Sequence, residues 1–156
     1  MDWIALISRW LHVGSVILLI GGFAFKAFVL IPAAGTISDA EHMRLRDAIH
    51  ARWRKFVHPL VALILLTGLY NFYVRMETER PWHMLAGIKI LLGLFILFVA
   101  SALVGRSPAL QKLRDNSRFW MTITLIVALA AVMISGYMRF LQPKAVAEKA
   151  PVVRTG

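Results

Sequence analysis

The chain contains no cysteine, which excludes disulfides, thiolate metal sites and CxxC redox chemistry and leaves only His, Met or oxygen ligands for any metal. Acidic side chains are scarce, eight against eighteen Lys and Arg, for a formal net charge of +10. The basic residues flank apolar blocks and form no single tract interleaved with aromatics, which favours membrane topology and anionic headgroups over nucleic acid as their partners. Also missing are a nucleophile with a base at workable spacing, an HExxH pair and a glycine-rich phosphate loop, so hydrolytic and nucleotide chemistry find no support.

Apolar residues are what the chain has in abundance: 59% of it is hydrophobic, and mean hydropathy is +0.68. They fall in four blocks, Trp3 to Ile31, Phe56 to Val74, His83 to Val104 and Phe119 to Met138. Each is near or above the roughly 20 residues that an α-helix needs to cross a hydrocarbon core. The expectation is therefore an all-α polytopic membrane protein, an antiparallel four-transmembrane-helix bundle spanning residues 1–140. The tail, 141–156, with two prolines and mixed polar residues, is expected to be disordered. The first block exceeds the about 7–15 apolar residues of a signal peptide and lacks a basic leader, so it reads as an uncleaved span even though Ala33-Ala34-Gly35 resembles a cleavage site. Trp3 and Trp10 suit one water interface, and Lys26 can snorkel towards the other.

The first connection carries its own helix signal. Ser38-Asp39-Ala40-Glu41 is a capping-box pattern, followed by HMRLRDAIHARWRKF, in which Met43, Ala48, Ala51 and Phe56 alternate with five basic residues. This predicts a basic amphipathic surface helix that runs into the second span, and it would equally serve as a docking face for a partner subunit. His42 and His50 within it read as solvated or headgroup-facing. The first and third connections hold ten Lys and Arg, the opposite side seven. That bias places both termini outside a cell inner membrane.

Intramembrane polar groups mark the candidate site. At 1.5 Å per residue, His12 lies roughly 12 Å from the terminal side, Lys89 roughly 9 Å, Thr67 roughly 12 Å, Asn71 roughly 6 Å and Ser135 roughly 5 Å. All four helices thus bring polar groups to one half of the bundle. The faces agree, because Ser8, His12 and Ser15 follow helical spacing, as do Thr67 with Asn71 and Trp82, Ala86, Lys89 and Gly93. An imidazole or an amine at this depth is a functional-site candidate by default, and a buried lysine is the sharper signal. Small Ala86 and Gly93 beside Lys89 would admit a neighbouring helix or a flat ligand. The competing reading is a polar network that only braces four helices. His58, just before Pro59, is expected at the opposite interface. His83 is the best alternative partner for His12.

Three functions fit these residues. The leading one is a haem-binding redox protein, an oxidase or an electron-transfer subunit, with His12 as axial ligand, Ser8 and Ser15 orienting the imidazole, and Thr67 and Asn71 as supporting hydrogen-bond donors. Lys89 would then pair with a propionate, move protons or itself ligate the iron. The second is copper handling, for which Met76, His83, Met84 and Met138 lie near one interface, although no MxM or MxxM cluster is present and methionine is an ordinary core filler. The third is a non-catalytic structural subunit of a membrane complex. The protein partners expected of the chain are a membrane redox partner or a second copy of itself.

The residues Trp10-Leu11-His12, Gly21-Gly22 and Leu30-Ile31-Pro32-Ala33, then Leu65-Leu66-Thr67-Gly68-Leu69-Tyr70-Asn71, then Leu85 and Lys89, resemble the CopD-like membrane domain. They are also similar to the HemJ-type protoporphyrinogen oxidases. The resemblance covers residues 3 to 138. In the HemJ-like group it implies His12 as the haem b histidine and Lys89 as a lysine needed for oxidation of protoporphyrinogen IX. Pro32-Ala33-Ala34 departs from the arginine- and histidine-bearing segment of that group. In the CopD-like group it implies copper transport or resistance.

Overall fold

The computed structural model describes residues 3–36, 38–74 and 80–148. Helices are the only regular elements among them: α1 (Trp3–Phe25), a π-helical turn (Lys26–Leu30), α2 (Ile31–Ala34), α3 (Asp39–Tyr73), α4 (Arg80–Val104), a 3-10 turn (Pro108–Leu110), α5 (Gln111–Asp115) and α6 (Ser117–Glu148). Four segments are long and apolar enough to cross a membrane: Trp3–Ala34, Asp39–Tyr73, Met84–Val104 and Ser117–Met138.

Proline explains the irregular end of the first segment. Pro32 has no N–H, and its ring would crowd the carbonyl four residues back, so the backbone widens just before it. The Ile31 N–H accordingly reaches Lys26 O, five residues earlier.

The basic segment and the second span form one continuous helix, not a surface helix leading into a separate span. Glu41 starts it as expected, its carboxylate accepting from the Ser38 N–H at 3.3 Å and from Ser38 Oγ at 2.6 Å. The helix then runs through Pro59 to Tyr73. Its 35 residues make a rod of roughly 52 Å, longer than a hydrocarbon core of about 30 Å, so its basic N-terminal part projects beyond the apolar one. His58 therefore sits inside a helix instead of at its start, its Nδ1–H donating to Arg54 O at 2.7 Å. α6 likewise passes the expected end at Met138 and continues to Glu148. Part of the stretch expected to be disordered is thus helical, built from helix-favouring Lys144, Ala145, Ala147 and Glu148. Residues 149–156 lie outside the described residues, as does Met76.

α1 packs on α3, and α4 on α6, while α3 with α4 and α1 with α6 close the ring. α1 and α4 therefore face each other diagonally. Burial is concentrated at one end: Leu19, Phe23 and Ala27 join Val57, Leu60 and Ile64 of α3, Leu97, Val99, Ala100, Leu103 and Val104 of α4, and Met121 of α6 in one core. At the other end the helices are loosely packed. No residue of α4 from Met84 to Ile96 is buried, nor any of α6 from Leu129 to Met138 among those described.

The packed end is organised around Trp53. Its ring lies against Phe23 at 6.0 Å and Phe56 at 5.6 Å between centroids. Gly22 supplies the flat surface beneath it. Lys26 does not only snorkel, because its Nζ lies 5.9 Å from the Trp53 ring centroid, within cation–π range. The third connection is held by Arg114, which donates to Gly105 O at 3.0 Å and to Ser107 O at 2.7 Å.

Candidate functional site

The loosely packed end contains His12. Helical spacing puts Ser8, His12 and Ser15 on the α1 face that meets α3, where Ser8 and Ser15 are buried and His12 is half-buried. Its Nδ1 lies 3.0 Å from Thr67 Oγ1 and 3.2 Å from Ile64 O. Ile64 O can only accept, and the Thr67 hydroxyl gives its own hydrogen to Leu63 O, so it also accepts from the ring. The imidazole is consequently the Nδ1–H tautomer, and the lone pair is on Nε2. A backbone carbonyl and a hydroxyl on Nδ1–H form the outer support usual for a metal-bound histidine, fixing ring orientation and raising the basicity of the other nitrogen.

Gly68 makes this approach between helices feasible. A Cβ built there would stand 3.2 Å from His12 Cε1, tighter than ordinary van der Waals contact, so a side chain would push the ring off Thr67. In the sequence Gly68 has no signal of its own, because a glycine in an apolar run shows no pattern until the group that needs the space is known.

The other expected residues divide between those that join His12 and those that do not. Thr67 does, as acceptor instead of donor. Ser8 and Ser15 do not bond the imidazole among the described contacts: Ser15 is buried, and Ser8 Oγ is buried without a hydrogen-bond partner. Asn71 is half-buried one turn beyond Thr67. Ser135 turns back on its own helix, donating to Ala131 O at 2.7 Å, as serines in apolar helices do when no neighbour is offered. His83 stands in the first turn of α4. Lys89 lies on α4, the helix diagonal to α1. It is exposed in the chain alone, where a buried position was expected. Cβ atoms built at Gly14, Gly87 and Gly93 would likewise meet nothing within 4 Å.

Among the described residues no three of His, Asp and Glu converge on a point where they could hold a metal ion. What the site provides is a single oriented imidazole, a cation across the bundle and open space at small residues. Replacing Thr67 with valine keeps the shape and removes one acceptor from Nδ1–H. The expected result is a folded protein whose affinity for any metal centre bound through Nε2 falls by roughly 10–100-fold, as outer-shell losses usually do. Titration of the purified variant with haem beside wild type measures it.

No family model, curated protein or solved structure matches the chain.

Proposed function

We propose that this chain is an integral membrane haem-b redox protein of the kind its residues resemble, the CopD/HemJ superfamily, with His12 Nε2 as axial ligand. The observation that carries the reading is the double acceptor on His12 Nδ1, which orients the ring and leaves Nε2 as the donor atom. The residues fit that group. Haem iron needs only one or two axial side chains, not a convergent set of three or four. The flat macrocycle needs space between the helices, and α4 across the bundle has no fully buried residue from Met84 to Ile96.

Bound haem b would supply one-electron chemistry in either direction. The chain's own residues do the rest. Thr67 and the Ile64 carbonyl hold the imidazole, Gly68 admits it, and Lys89 places a positive charge or an exchangeable proton across the bundle. A protoporphyrinogen-type oxidation and simple electron transfer both use that arrangement. The four spans run antiparallel in this reading, supported by the pairing of His12 with Thr67 and of Gly22 with Trp53, whose order reverses between α1 and α3. The charge bias supports termini outside the inner membrane.

A reduced-minus-oxidised visible spectrum of the detergent-purified protein, with metal analysis on the same sample, tests the reading. The expected result is a b-type spectrum in wild type that survives in Lys89→Ala with altered activity or potential. Protein made with ample haem supply and carrying none would overturn it, and bound copper would then favour transport or resistance over a structural subunit.

A further inference from the structure

At the packed end, away from His12, the fold gathers cations from separate segments. A cleft of about 350 Å³ opens between the N-terminal half of α3 and the connection from α4 to α6, with Arg46, Asp47, His50, Arg106, Gln111 and Arg114 on its walls. Asp47 is the one carboxylate among its lining residues. Lys26, in the π-helical turn after α1, and Arg46 repel each other, and burial together with Lys26, Arg46 and Arg114 disfavours a proton on His50. Chain folding has thus assembled mutually repelling groups that a single carboxylate does not balance, and an anion between them would relieve the repulsion.

The groups are not equally free. The Arg114 guanidinium is fixed by Gly105 O, Ser107 O and Gln111 Oε1, so it is preorganised, while Arg46 and Arg106 are exposed. Planar guanidinium groups suit the oxygens of a phosphate. The position selects the carrier of that phosphate. The cleft borders Val104, where an apolar segment ends, and lies less than three helical turns from Phe56, where the apolar part of α3 begins. Headgroup phosphates occupy this level of a bilayer, and basic pockets between spans are where anionic headgroups bind.

We propose that this cleft is a specific site for the phosphodiester of an anionic phospholipid, with Arg46 and Arg106 as the contacting groups and Arg114 as a fixed positive wall. The proposal rests on the membrane reading above and is independent of haem.

Native mass spectrometry of the full-length protein in mild detergent, with phosphatidylglycerol, phosphatidylcholine or inorganic phosphate added, tests it. Wild type is compared with Arg46→Gln/Arg106→Gln and with Arg44→Gln/Arg52→Gln, which removes the same charge from exposed positions outside the cleft. Wild type should retain phosphatidylglycerol in preference to phosphatidylcholine. The cleft variant should lose that retention by roughly ten-fold or more, the loss expected from charge-assisted hydrogen bonds, and the control should keep it. Equal loss in both variants would overturn the proposal in favour of general surface attraction. Inorganic phosphate raising thermal stability as much as phosphatidylglycerol would overturn it in favour of a soluble anion. Wild type without preference between the two lipids would overturn it whether or not the variants fold.

Discussion

Gly68→Leu is expected to leave a folded, membrane-inserted protein that no longer retains haem, although neither the histidine nor its hydrogen-bond partners have changed. A Cβ at this position already stands 3.2 Å from His12 Cε1, and the larger leucine side chain would drive the imidazole away from Thr67 and Ile64. Gly68→Ala separates the effects. Alanine gains about 1 kcal/mol of helix propensity over glycine, so thermal stability of the apo-protein should hold or rise, while haem affinity falls because the ring must shift by a few tenths of an ångström. A structural role for His12 predicts the opposite coupling, with haem content unaffected and stability lost. Haem content and melting temperature measured on the same two variants distinguish these outcomes.

Gly22→Ala carries the largest expected effect on stability. A Cβ there would meet Trp53 Cη2 at 2.3 Å and Cζ3 at 2.9 Å, distances at which something must move. The indole is not free to move, since it lies between Phe23 and Phe56 and under Lys26. Overpacking of this kind destabilises by about 1–3 kcal/mol, more than the propensity gain of about 1 kcal/mol. Trp53→Leu should itself destabilise through the lost ring contacts, yet the double variant should be less destabilised than the two changes added together, with a coupling of about 0.5–3 kcal/mol. Additive losses in a denaturation series of the four proteins would mean that the two residues do not interlock.

Much of the architecture was readable before any coordinates because the apolar blocks match the length that crossing a bilayer demands. The limits of the blocks were less readable. The basic residues from Arg44 to Lys55 and the proline at 59 look like the end of one element and the start of another. Yet charge is tolerated on any helix that leaves the lipid, and one proline removes only one backbone hydrogen bond when the rest of the helix is well packed. At the far end, Lys144 to Glu148 are good helix formers whose polarity suggested disorder.

The site shows the same division. His12 and Thr67 were expected at equal depth, and the structure brings them together. That Thr67 accepts, and that Ser8 and Ser15 stand aside, was not foreseeable, because a helix that is apolar on every side carries little angular information about which face meets which neighbour. Lys89 shows the converse. Its burial depended on how closely α4 approaches the other helices, which depth does not report. Gly68 and Trp53 emerged only from contacts, since a glycine in an apolar run has no distinguishing pattern until the group that needs the space is known.

The claim on which the functional account turns is that His12 Nε2 binds haem iron, and ligand rescue tests it most directly. His12→Gly is purified with and without added imidazole, and haem content and the reduced spectrum are recorded beside wild type. The account predicts a haem-containing wild type, loss of the b-type spectrum in His12→Gly, and its return when free imidazole occupies the space left by the side chain. A His12→Gly protein that keeps its full haem and an unchanged spectrum without imidazole would contradict it.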